Sequence, residues 1–188
     1  MFSDKIKEAT LAAHQQVEKA LVGKMKAIRS KDDYVDLLKI FYGYFGGLEQ
    51  QIKSYINQAQ LEDYSDRRKT DAIAADIKDL GGEISVLANG SDLPIINNYL
   101  QAFGALYVIE GSILGGSIIS EMMQKHLTFD GQKGLSFFNG YGEQTQQMWV
   151  NFKSSLNVAV KSEDDEQVVL QAANETFARF NNWIEKQG

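Results

Sequence analysis

The sequence has no cysteine, one proline and two histidines in 188 residues. The first absence excludes disulfides, thiol nucleophiles and thiolate metal sites. The second, with apolar residues recurring at three- and four-residue spacing and no convincing strand pattern, predicts an all-α protein. The third removes the paired, closely spaced imidazoles that most zinc sites use. Basic residues are in deficit, 19 Lys and Arg against 25 Asp and Glu, for a net charge of −6. General nucleic-acid binding needs a concentrated basic surface, so no nucleic-acid partner is expected. "MFSDKIKEAT" at the N-terminus shows no basic-then-apolar leader, and a cytoplasmic location is expected. The most apolar stretch, Leu93 to Ile119, contains Asn97, Asn98, Gln101 and Glu110. A carboxylate near its middle is expensive in hydrocarbon, so it reads as a core helix with no membrane partner.

What remains is ordinary globular composition, 44% apolar and 23% charged, enough for one core and one domain over residues 1–188. A first helix is expected from a Ser3 or Asp4 cap to about Leu21, with Ile6, Thr10, Ala13, Val17 and Leu21 facing inward. "VGKMKAIRSKDD" reads as a connection, followed by an aromatic-rich helix from about Lys31 to Gln58. "DAIAADIKDLGG" is a short amphipathic helix with a double-glycine stop. Ser91 or Asp92 is expected to cap a long central helix, with Pro94 in its first turn and His126 at its end. A loop with a helical turn at Leu135 to Phe138 leads to helices over 143–160 and 164–185.

Two features carry chemistry. His14 stands four residues after Thr10 and four before Glu18, so it borders the inward stripe with a carboxylate in reach. Either this is a helix-stabilising polar pair, or one imidazole nitrogen faces a pocket while Glu18 orients the other, as around metal-bound histidines. In the central helix, Gly104, Gly111 and Gly115 recur on one face with Gly116 beside them. Interior glycines cost roughly 0.8–1 kcal/mol each relative to alanine, so this stretch gives up stability for close approach to its backbone. Another helix or a flat ligand satisfies that condition, and the cluster also favours a kink. A single histidine opposite a glycine groove suits one axial ligand to haem.

The residues also resemble a known family. "IKEATLAAHQQVE" is similar to the proximal helix of haem oxygenases, and "LYVIEGSILGG" to the distal helix of their bacterial, biliverdin-producing, bacteriophytochrome-associated branch. "GLSFF", "WVNFKSSLN" and "AANETFARFNNWIE" resemble later segments in the same order, so the likeness covers most of the chain. It implies a haem-oxygenase-like helical bundle with haem b, iron protoporphyrin IX, held between the first helix and a glycine-kinked distal helix. His14 is then the iron ligand and Glu18 its orienting carboxylate. Gly111, Ser112, Gly115 and Gly116 form the catalytic distal surface, Lys7 and Lys153 bind the haem propionates, and Tyr107 and Phe177 line the pocket. The implied reaction opens haem to biliverdin with release of ferrous iron and carbon monoxide, using O2 and electrons from a ferredoxin or flavoprotein reductase. Lys7, Lys24, Lys26, Arg29 and Lys153 are the expected donor-docking patch.

One departure stands out. Mammalian-type enzymes place an aspartate after the first distal glycine, where this chain has Ser112, which is uncharged and shorter. Glu110 is a candidate to compensate, although it points about 100° away from Gly111 around the helix. A haem-binding or haem-carrying protein of the same fold without turnover is the alternative function. A thiaminase-like use of the fold lacks its cysteine nucleophile.

Overall fold

The computed structural model describes residues 1–131 and 133–187; Gln132, inside the expected 127–142 loop, and Gly188, the last residue of the expected domain, lie outside them. The described residues form eight α-helices and no strand. These are α1 (Phe2–Ala9), α2 (Leu11–Ala27), α3 (Lys31–Ile52), α4 (Asp71–Asp79), α5 (Tyr99–His126), α6 (Ser136–Asn139), α7 (Thr145–Ala159) and α8 (Glu163–Lys186).

Local chemistry sets most of the boundaries. Ser30 and Ser162 cap α3 and α8 by accepting from the N–H groups of Asp33 and Asp165 at 3.1 and 3.2 Å. The expected first helix is two. At Thr10 the backbone leaves helical geometry (φ −102°, ψ −1°) while its hydroxyl donates to the Ile6 carbonyl at 2.7 Å. The expected connection after Leu21 is helical as far as Ala27, because Met25 and Ile28 are drawn into the core. Helix α3 stops at Ile52 instead of Gln58. There the Asn57 side chain takes the Ala59 N–H at 2.8 Å, and the chain folds back to bury Ile56 and Leu61. Helix α5 starts later than expected. Leu93, before the proline, is extended, and Asn98 is the cap, accepting from the Gln101 N–H at 2.9 Å while the Gln101 side chain accepts from Asn97 at 2.7 Å.

The core is aromatic where α3 meets α8. Tyr44 stacks on Phe180 with centroids 4.8 Å apart and donates its hydroxyl hydrogen to the Thr176 carbonyl at 2.6 Å. Trp183 lies against Gly43 and donates its indole N–H to the Ile40 carbonyl at 3.0 Å. Asp76 of α4 accepts from the Ser136 N–H, the Ser136 hydroxyl and the Phe137 N–H at 3.0, 2.6 and 2.8 Å, which pins the short α6. Burial pushes the Asp76 carboxyl above its usual range, and these bonds work against that rise.

Helix α5 runs through the middle as one continuous helix. It is long and apolar enough to cross a membrane, but 61% of its most apolar window is buried in the bundle. Its glycines serve different neighbours. A Cβ on Gly104 would sit 2.6 Å from the Val169 carbonyl oxygen of α8, and one on Gly116 would run into the Phe138 carbonyl oxygen of α6. A Cβ on Gly111 would meet only the Trp149 ring edge at 3.8 Å, and one on Gly115 would meet nothing within 4 Å. The expected stability consequences diverge. Gly104→Ala and Gly116→Ala should each cost about 1–3 kcal/mol from overpacking against backbone. Gly115→Ala should be neutral or stabilising by up to about 1 kcal/mol. Urea unfolding of the three variants measures this directly.

Candidate active site

Helix α5 meets the α1–α2 junction at Tyr107. Tyr107 is buried, which pushes its phenol upward, and Thr10 of the α1–α2 junction meets its hydroxyl. His14 stands one helical turn beyond Thr10 and Gly111 one turn beyond Tyr107, each about 6 Å along its helix from that contact. The His14 ring sits edge-on to Phe177 of α8 at 5.6 Å and is 48% exposed, so one side of the imidazole is open. Its Nε2 is 3.7 Å from Glu18 Oε1, an ion-pair distance rather than a hydrogen bond. On α5 the open strip comprises Gly111, Leu114, Gly115 and Ile118, with Leu114 and Ile118 presenting apolar surface to solvent. An aromatic wall closes one side: Trp149 of α7 stacks on Phe152 at 5.6 Å and meets Tyr107 at 5.6 Å.

The expected cations are dispersed. Lys7 is exposed on α1 and Lys153 half-buried on α7. Helices α1 and α7 are joined where Asn157 Oδ1 accepts from the Ser3 N–H at 2.9 Å, and each lysine is one turn along from that joint. Lys24 and Lys26 lie in the last turn of α2. The Arg29 guanidinium donates to the Lys26 and Ile28 carbonyls at 2.7 and 2.8 Å, so it closes the C-terminal end of α2. Gly116, grouped by spacing with the open-faced glycines, is buried against Phe138 and does not belong to the open strip.

Beneath the strip lies a polar network that the sequence reading did not find. Arg67 forms a two-pronged pair with Asp63 at 2.8 and 2.8 Å and bonds Glu110 at 2.6 Å. Burial works against its charge, but Asp63 and Glu110 outweigh this and hold the guanidinium above its ordinary range. Tyr141 lies 3.1 and 3.3 Å from the two Glu110 oxygens, and its hydroxyl accepts from the Arg68 N–H at 2.9 Å. Glu110 is thus committed to the interior and does not reach toward Gly111. Arg68 lies flat on the Phe137 ring at 3.7 Å, and burial pushes its guanidinium down to about 10, still charged at neutral pH. Its Nη2 is 3.2 Å from the Ser112 hydroxyl, which itself donates to the Ile109 carbonyl at 2.6 Å. "DRRK" at 66–69 gave no signal, because adjacent charges in a polar stretch read as a solvated loop.

Comparison with known proteins is decisive on ancestry. The Heme oxygenase family model matches residues 1–186. The chain belongs to the haem oxygenase family. A haem oxygenase of Xanthomonas campestris pv. campestris is 26% identical over 156 residues, covering 81% of this chain and 89% of the relative. The haem oxygenase PigA of Pseudomonas aeruginosa is 25% identical over 189 residues, covering 98% and 91%. The NO- and CO-bound haem oxygenase of Neisseria meningitidis superposes with a TM-score of 0.85 at 25% identity, covering 100% of this chain and 92% of that one. A haem oxygenase of Leptospira interrogans shares the fold, with a TM-score of 0.76 at 17% identity.

For a haem oxygenase family member, the residues fit the group. A flat macrocycle needs a helix without side chains, an imidazole with an open face and an apolar rim. The Gly111–Gly115 strip, His14, and Leu114 with Ile118 meet those three needs. Among the described residues no cluster of three or more His, Asp or Glu could hold a bare metal ion. The network under the strip is expected to act as a unit. Glu110→Ala should destabilise the protein by about 1–3 kcal/mol by leaving Arg67 Nη1 without its partner while Asp63 still pairs the charge, whereas His14→Ala should change stability by under about 1 kcal/mol. Chemical denaturation of the two variants, with Arg67→Met/Glu110→Leu recovering part of the loss, checks both figures.

Proposed function

We propose that the protein is a haem oxygenase in the full sense: it binds one haem b, opens it to biliverdin and releases ferrous iron and carbon monoxide, consuming O2 and electrons from an external ferredoxin or flavoprotein reductase in the cytoplasm. The observation that carries this reading is the uncovered backbone of α5 at Gly111 and Gly115, together with a half-exposed histidine on α2. Bound haem supplies both the iron that activates oxygen and the carbon skeleton that is oxidised.

The chain's own residues do the rest. His14 holds the iron, and Glu18, 3.7 Å from the ring, limits the swing of the imidazole. Phe177 supports the ring from α8. Gly111 and Gly115 let the macrocycle lie against the α5 backbone, so the position of its edge relative to Ser112 is fixed by the helix. Tyr107 and Trp149 close the interior side and keep bulk water from that edge. Lys7 and Lys153 serve the propionates as point charges, and Lys24 with Lys26 extends the cationic rim for an acidic electron donor.

A spectral titration with haemin tests the reading. The wild-type protein should give a Soret band saturating at one equivalent, altered in His14→Ala. With an electron donor in air it should decay to a biliverdin-like absorption, with ferrous iron trapped by a chelator. Gly115→Leu should abolish haemin uptake while leaving the thermal unfolding midpoint of the haem-free protein within a few degrees of wild type. Haem that binds through His14 and stays intact with a competent donor makes the protein a carrier. Absence of binding leaves only the fold.

A further inference from the structure

What stands behind the open strip is a single turn of helix. Ile113, Gly116 and Ser120 lie about half a turn round α5 from Gly111, Leu114, Gly115 and Ile118, and they are buried where most of the strip is exposed. Helix α6 and the glycine after it cover all three. The Phe138 carbonyl oxygen bears on Gly116, where a Cβ would run into it, and Asn139 Oδ1 accepts from the Ser120 hydroxyl at 2.8 Å. A Cβ on Gly140 would stand 2.5 Å from Ile113 Cγ2. At Gly116 the contact is backbone against backbone. No side chain is there to yield, so a movement of α6 passes directly to α5.

Four residues of helix do not hold themselves in place, because fixing one turn costs more than its few hydrogen bonds return. Helix α6 is held from outside. Tyr34 of α3 donates its hydroxyl hydrogen to the Gly134 carbonyl at 2.8 Å, just ahead of α6. Asp76 of α4 receives the first turn itself: Oδ1 accepts from the Ser136 N–H and hydroxyl, and Oδ2 from the Phe137 N–H. The Asp76 side chain is buried, and the ionisable groups that act on it, Asp79 and Tyr34, offer no positive charge. A carboxylate buried without a cation is tolerated where donors satisfy it, and the three donors that do so here all belong to α6.

We propose that Asp76 is a positioning residue of the haem site: by seating α6 on the back of α5, it sets how far the Gly111–Gly115 backbone reaches into the groove, and so the clearance left for a ligand on the iron opposite His14. This rests on the haem-binding reading above. The carboxylate acts at a distance, through the Phe138 carbonyl and Gly116, from the side of α5 turned away from the groove.

The test measures that clearance in the ferric haemin complex with two iron ligands of different bulk, imidazole and azide, and needs no turnover. Asp76→Asn keeps the side-chain volume but turns an amide N–H toward a donor of α6, so α6 loosens and α5 recedes. Imidazole affinity should rise about fivefold or more while azide affinity moves less than about twofold, the scale expected for relief of one tight packing contact. Gly116→Ala pushes α5 the other way. It should lower imidazole affinity about fivefold in the wild-type background and clearly less in Asp76→Asn, where α6 yields. Ser162→Ala, which removes the cap of α8, controls for a general loss of stability, and thermal melts of the haem-free proteins establish that each variant is folded. An imidazole-to-azide ratio unchanged in Asp76→Asn, or moved as far by Ser162→Ala, overturns the proposal, as does an equal effect of Gly116→Ala in both backgrounds. In the haem-free protein, Asp76→Asn should also speed amide hydrogen exchange over residues 113–120 more than over residues 102–109. If the wild-type protein takes up no haemin, the haem reading itself falls, and the exchange pattern alone decides whether Asp76 holds α5 in place.

Discussion

A helix packed tightly at Gly104 and Gly116 that leaves its backbone uncovered at Gly111 and Gly115 is the constraint on which this structure turns. Helix α5 is closed by α8 at Gly104 and by α6 at Gly116, and between those levels Gly111 and Gly115 meet almost nothing. Close packing at the two ends holds the helix rigid, so the bare segment need not be stabilised by contacts of its own. The helix-propensity loss at these glycines, roughly 1 kcal/mol each, is offset by the burial of Phe103, Leu106, Ile109 and Met123 on its other faces. Elsewhere in the sequence the same residue type serves ordinary packing, as at Gly43 against Trp183.

The second organising element is electrostatic. Two guanidinium groups and two carboxylates are buried at or near the heart of the bundle, and such charges are tolerated only when paired and hydrogen-bonded. Asp63, Arg67 and Glu110 satisfy one another, while Arg68 takes backbone carbonyls, an aromatic face and Ser112. The network therefore ties the irregular 53–70 segment to α5, α7 and the α6–α7 turn. It also holds the Ser112 hydroxyl between Arg68 and the Ile109 carbonyl.

On the opposite side of the groove the design is looser. His14 and Glu18 are half-exposed or more, and the break at Thr10 separates α1 from α2. The contact of Thr10 with Tyr107 joins this side to α5 beside the groove.

Much of this was legible in the residues. The apolar spacing and the absence of strand patterns determined an all-helical chain, and the aromatic-rich run from Lys31 marked α3. Boundaries failed where distant burial overrode local pattern, as with Met25 and Ile28 extending α2 and Ile56 ending α3. The roles of individual glycines were not readable, since Gly111, Gly115 and Gly116 are identical in sequence terms and differ only in what packs on them. Nor could 66–69 be distinguished from a solvated charge run, because nothing local shows that Arg67 and Arg68 turn inward. Sequence by itself determined which segments are helical and which residue types are available to bind a flat iron-bearing ligand. Tertiary structure alone decided which backbone stays bare and which charges are buried, because both depend on neighbours tens of residues away in the chain.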